Sequence, residues 1–187
     1  FLKANGLTDF EAFTGVDDTR YAVHNVPTAN AQLMGKMYLL LKDWCHGIKI
    51  QPADVEKERG IIMEEWRRRE GIDRRITDST ARVMYNYSKY AYRNVIGNEA
   101  RLRSFTPKDV RTFYDTWYRP QLQFVAIIGD VNLDQAERTI KATLSSLPKK
   151  ATPYDAELRK ISDNAQPLYM QFVDKENKSP SFGLYQR

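Results

Sequence analysis

Cysteine is almost absent. Cys45 stands alone, so no disulfide can form within the chain, and the redox compartment stays unmarked. Histidine is nearly as scarce: His24 and His46 lie 22 residues apart and fit no ligand pair on one helix. A catalytic zinc takes about three protein ligands and keeps one position open, so these two imidazoles do not supply such a site. No apolar run reaches the ~18 residues that mark a membrane-spanning helix. No signal peptide stands within the chain either, although a start at Phe1 rather than Met leaves export open. There is no glycine-rich phosphate loop, no internal repeat, no low-complexity segment and no Ser/His/Asp arrangement. Acidic residues are outnumbered 24 to 29, which gives a formal charge of +5. The basic residues are scattered apart from Arg67, Arg68, Arg69, Arg74 and Arg75. Such a cluster reads as a solvated helix face whose counterpart is an acidic patch on a partner domain. Nucleic acid is not an expected partner: four nearby tyrosines come without a basic groove or a recognition module.

What remains is an ordinary globular composition, 42% hydrophobic and 28% charged, over 187 residues, enough for a sizeable core. The most informative stretch is Gln51 to Gly71, QPADVEKERGIIMEEWRRREG, whose spacing predicts one amphipathic helix. Pro52 suits its first position and Gly71 its stop. Val55, Ile62 and Trp66 form an apolar stripe, with Ile61 further round. Glu58 and Glu65 lie seven residues apart, two turns on, and project in nearly the same direction, between Ile61 and that stripe. Glu64 points to the solvent side. Two inward carboxylates need a reason, since an unpaired buried charge is costly. The plainer reason is an ion pair between Glu65 and Arg69, one turn later. The other is a metal ligand or proton-transfer group.

The rest of the chain alternates short strands and helices. Asp9 to Gly15 and Thr19 to Val26 read as two strands about a turn at Val16, Asp17 and Asp18. A helix from Asn30 to about Cys45 carries Leu33, Met37, Leu40, Leu41 and Trp44 as a core stripe. Another is expected from Arg74 to Tyr87. Thr106, Pro107 and Asp109 mark a helix start, and Asn132 caps a last helix running to Leu147. Phe124 to Ile128 reads as a strand buried on both faces, with further strands at Leu168 to Val173 and Phe182 to Tyr185.

The segment ERGIIMEEWR resembles the second metal-binding segment of the pitrilysin/insulinase family of zinc peptidases, the inverzincins, in which a helical Glu completes a site opened by an H-x-x-E-H helix. DFEAFTGVDDTRY resembles the family's strand pair near the cleft. YAYRNVIGNEARLRSFTPKDVRTFYDTWY and RPQLQFVAIIGDVNLDQAERTI resemble the segments that follow, so the likeness covers about residues 9 to 147. On this resemblance Glu65 falls on the zinc-ligand Glu, and Glu58 on the acidic residue that supports the site from behind it. Arg93 falls on a recurrent Arg that anchors its loop. The strand carrying Glu11 would lie at a cleft edge where substrate backbone pairs with it. Here the chain departs from the family, which usually has Asn. A carboxylate cannot donate as an amide does, so Glu11 either favours a cationic substrate residue or is a solvent-side residue of the strand.

The H-x-x-E-H element is absent, so the resemblance implies a fragment that begins just after it. The fold class expected is α+β, or α/β only in the broad sense. Helices would pack on a mainly antiparallel sheet, as in one half of a mitochondrial-processing-peptidase-like metallohydrolase. Residues 1–147 would belong to the catalytic domain without its first strand and metal helix. Residues 148–187 would be a connection and the start of the next segment. The implied parent is a zinc-dependent endopeptidase or oligopeptidase that hydrolyses peptide bonds with metal-activated water, where Zn2+ lowers the water's pKa and polarises the carbonyl. Its partners would be a peptide or protein substrate and the remaining domains of the same polypeptide. The fragment alone would bind zinc poorly and be inactive. Resemblance to exported members suggests a bacterial periplasm or envelope. The alternative is a structural or assembly subunit of the same family that has lost the metal site.

Overall fold

The computed structural model describes residues 1–149 and 161–186, and these fall into two units. The first contains Phe1–Phe13, Thr19–Val55 and the described residues 105–149. Strands β1 (Phe10–Thr14) and β2 (Thr19–Val23) pair as an antiparallel hairpin. His24 N–H donates to the Asp9 carbonyl at 2.8 Å, which closes the open end of the ladder. This register sets Phe13 opposite Arg20, whose guanidinium lies 4.9 Å over the phenyl ring.

Helix α1 (Ala31–His46) starts where the Asn30 side chain accepts from Leu33 N–H at 3.0 Å. Its Leu33 and Met37, one turn apart, are buried with Leu7, and Leu2, Val23, Val26 and Leu40 pack round them. Each such side chain contributes roughly 1.5–3 kcal/mol by leaving water. Helix α5 (Pro107–Trp117) begins in a capping box: the Thr106 hydroxyl takes Asp109 N–H while the Asp109 carboxylate takes Thr106 N–H. Helix α6 (Leu133–Leu144) is capped by Asn132 and packs against α1.

The second unit holds the hairpin tip, Thr14–Asp18, together with Glu56–Ser104 and the described residues 161–186. Helix α2 (Pro52–Arg68) begins in the first unit and continues here, followed by α3 (Ile72–Met84) and α4 (Glu99–Ser104). Met63, Ala91 and Leu102 are its buried apolar residues. The Arg93 guanidinium donates to the Val16 carbonyl at 3.3 Å, and the Tyr90 hydroxyl donates to Asp17 at 2.9 Å. Arg93 therefore does anchor a loop, the tip of the hairpin.

Three strand expectations fail. Phe124 to Ile128 is irregular, with Phe124 90% and Ile128 94% exposed rather than buried on both faces. Leu168 to Val173 and Phe182 to Tyr185 are likewise irregular and largely exposed. A strand exists only through a partner's hydrogen bonds, and the one sheet among the described residues is β1 with β2. The expected connection at Pro148 to Lys150 runs into residues outside those described.

Candidate functional site

Two places carry the residues singled out by the sequence. The first is α2. Glu58 and Glu65 are both exposed, so the inward orientation expected for them is wrong. The side chain of Glu65 is 48% exposed, little different from Glu64 at 57%. The covered arc of α2 runs through Ile62, Val55, Trp66 and Arg59 to Met63, whereas Ile61 is exposed. Met63 and Arg59 shift that arc away from Ile61 and leave the two carboxylates on its flank. Glu65 pairs with Arg69 and Glu64 with Arg67, the local ion pairs that helical spacing favours.

Arg59 is a residue the sequence reading missed. Its guanidinium forks onto Glu56 at 2.9 Å and donates to the Leu102 carbonyl at 2.6 Å, tying α2 to the end of α4. Arg74 and Arg75 of the cluster also find carboxylates in this chain. Arg74 pairs with Glu70 and Asp78, and Arg75 grips Asp174 and Glu176 at 2.8 Å.

The second place is β1 in the first unit. Glu11 is exposed and lines a groove of about 600 Å³ with Phe1, Phe10, Tyr21, Leu40 and Trp44 among its walls. His24 lies across the ladder with Nε2 3.8 Å from the Glu11 carboxylate. On its other edge β1 has no strand among the described residues. Behind the groove, Tyr21 stacks on Trp44 with ring centres 5.3 Å apart, and its hydroxyl meets that of Tyr118 at 2.7 Å. Burial, and then the Tyr118 hydrogen bond, push the Tyr21 phenol above its ordinary range.

The residues present test the fit to zinc. A carboxylate such as Glu65 is a suitable oxygen donor. Among the described residues, however, no group of three His, Cys, Asp or Glu side chains converges as a metal site would require. Glu65 and His24 each sit against a different side-chain partner, Arg69 and Glu11. The described chain does not form a zinc site from its own residues.

Comparison with known proteins fixes the family. The probable zinc protease PqqL of Haemophilus influenzae is 34% identical over 137 residues, 73% of this chain and 15% of that protein. The first half of the periplasmic protease PqqL from Escherichia coli superposes with a TM-score of 0.76 at 28% identity, covering 83% of this chain and 34% of that one. The ferredoxin protease FusC, solved in complex with Arabidopsis ferredoxin, gives 0.75 at 29% identity over 82% of this chain and 17% of that one. A family model described as the peptidase M16 inactive domain matches residues 104–186. The chain belongs to the pitrilysin-type zinc peptidase family. It spans only 15–19% of the length of the first curated zinc proteases it matches. Its helix-rich α+β fold, with the small antiparallel hairpin, is that of the pitrilysin-type PqqL structures. No helix among the described residues is long and apolar enough to cross a membrane.

Proposed function

We propose that this chain is part of a zinc-dependent endopeptidase or oligopeptidase and contributes one carboxylate, Glu65, to a metal site whose other ligands lie elsewhere in the longer polypeptide. The observation that carries the reading is Glu65 itself. It stands in ERGIIMEEWR on α2, open to solvent and held by one exposed partner, Arg69, in a chain whose relatives are named zinc proteases. An exposed ion pair of this kind is worth about 0–1 kcal/mol, so exchanging Arg69 for a metal costs little. Glu58, two turns before it on the same flank, supports the site from behind the ligand. Alone, the chain neither binds zinc tightly nor cleaves peptides.

The substrate is a peptide or protein. The edge of β1 that has no strand partner among the described residues suits an added strand, and Glu11 beside the groove favours a cationic substrate side chain. Residues 1–147 belong to the catalytic half, which is supported by α6 ending at Leu144 just before Pro148, and 148–187 lead into the next segment. The periplasmic description of the Escherichia coli relative supports the same location here. A structural role without catalysis is the second reading, favoured by the inactive-domain match over residues 104–186.

The test compares the longer protein with its Glu65→Gln and Glu64→Gln variants for retained zinc and peptide hydrolysis. Glu65→Gln keeps the shape and removes the anionic ligand, so both quantities should fall together while Glu64→Gln stays close to the unmodified protein. A protein indifferent to Glu65→Gln would place the ligand elsewhere, and one without zinc or activity would establish the structural reading.

A further inference from the structure

The turn between α1 and α2 is strained, and one side chain from a distant helix holds it. Ile50 has a φ of +53°, a left-handed conformation that a β-branched residue adopts only under strain. Two residues later Pro52 opens α2, the helix that bears Glu58 and Glu65. The Arg111 guanidinium, from α5, donates through one nitrogen to the carbonyls of Ile48 and Lys49, both at 2.7 Å. One turn further along α5 the Tyr114 hydroxyl accepts from Ile48 N–H at 3.3 Å and donates to the Trp44 carbonyl at 2.9 Å. The Gln123 side-chain amide donates to the Cys45 carbonyl at 2.9 Å. The end of α1 and the following turn are thus bound by side chains rather than by regular backbone pairing.

We propose that Arg111 is a positioning residue: it locks the Gly47–Gln51 turn with Ile50 in its left-handed conformation and so fixes where α2 begins. The charge-assisted bonds to two successive carbonyls are of the strength needed to offset one strained residue. All of the groups involved belong to the first unit. The consequence for catalysis rests on the reading of α2 as the helix that presents Glu65; the lock itself does not.

The experiment uses strain relief as its signature. Hydrogen exchange of the Ile48 and Val55 amides, which donate to the Tyr114 hydroxyl and the Gln51 carbonyl, is measured in the 187-residue chain for the unmodified protein, Arg111→Met, Ile50→Gly and the double variant. Arg111→Met should speed exchange about tenfold, and adding Ile50→Gly should recover most of the protection, because glycine adopts a positive φ without strain. A residue that merely packs would not be rescued in this way. In the longer protein, Arg111→Met should lower kcat about tenfold with KM unchanged, and the double variant should recover it. Exchange unchanged by Arg111→Met, or a double variant as unprotected as the single one, overturns the lock. Restored exchange with kcat insensitive to both Arg111→Met and Glu65→Gln keeps the lock and overturns instead the reading of α2 as the metal helix.

Discussion

The Tyr21 ring lines the groove beside Glu11, and its hydroxyl shares a 2.7 Å hydrogen bond with that of Tyr118. Removing one hydroxyl leaves the other half-buried with a lost partner, so Tyr118→Phe should cost about 1 kcal/mol, measurable as a lower denaturant midpoint. The same burial raises the Tyr21 phenol in the folded state relative to the ordinary value of about 10 in the unfolded chain. A group raised on folding gives stability that is fully present below its unfolded pKa and is lost as pH rises through the folded one. Stability should therefore decline above about pH 10, more gently in Tyr21→Phe, as followed by denaturant midpoints along an alkaline series. At Glu11, Glu11→Asn in the longer protein should reduce the preference for peptides with a basic residue and leave neutral peptides nearly unchanged. Equal effects on both kinds of peptide would separate Glu11 from selectivity. None of these pairings could be read from spacing, since Tyr21 and Tyr118 stand 97 residues apart.

Among the elements, α1, α2, α5 and α6 were legible because their signals are local. Asn30, Thr106 and Asn132 cap within three residues, Pro opens both α2 and α5, and a 3.6-residue period sets each apolar face. Glycine positions test this local logic. Gly60 lies inside α2, and a Cβ there would meet nothing within 4 Å. Gly60→Ala should raise stability by about 0.5–1 kcal/mol, seen as a higher melting temperature. A Cβ on Gly47 would come within 2.9 Å of the Asp43 backbone, so Gly47→Ala should destabilise by about 1 kcal/mol or more. The irregular run Phe124 to Ile128, exposed at both ends, shows where local reading stops: its apolar composition fits a strand, but strand formation depends on a neighbour that composition does not name.

At the scale of the whole molecule, contacts between residues far apart in sequence hold each unit together. In the second unit, Arg75 on α3 binds Asp174 and Glu176 about a hundred residues later, and Asn86 donates to the Ser162 carbonyl at 3.0 Å. The Arg75 guanidinium holds the Asp174 carboxyl below its ordinary range. A carboxyl lowered on folding gives stability that is present above its unfolded pKa and is lost as pH falls through the folded one. Docking of the described segment after residue 160 should therefore weaken below about pH 4, the ordinary Asp range, before α3 itself unfolds. Amide exchange of residues 174–177 along an acid series checks this, and Arg75→Gln should expose them already at neutral pH.

The sequence by itself determined α1, α2, α3, α5 and α6, the hairpin and the family likeness, since caps, periods and the segment ERGIIMEEWR are short-range patterns, whereas the short α4 went unread. It set Glu58 and Glu65 on the wrong side of the boundary between covered and open, and the contrast it drew between Glu64 and Glu65 is absent from the fold, where both are exposed. Only tertiary structure decided that boundary. An amphipathic helix shows an apolar arc, but what packs there selects its centre, and Arg59 reaching Leu102 and Met63 entering the second core moved it away from both carboxylates. The lock of Arg111 on Ile48 and Lys49 was likewise invisible, because a guanidinium carries no mark of which carbonyls, sixty residues away, the folded chain will bring to it.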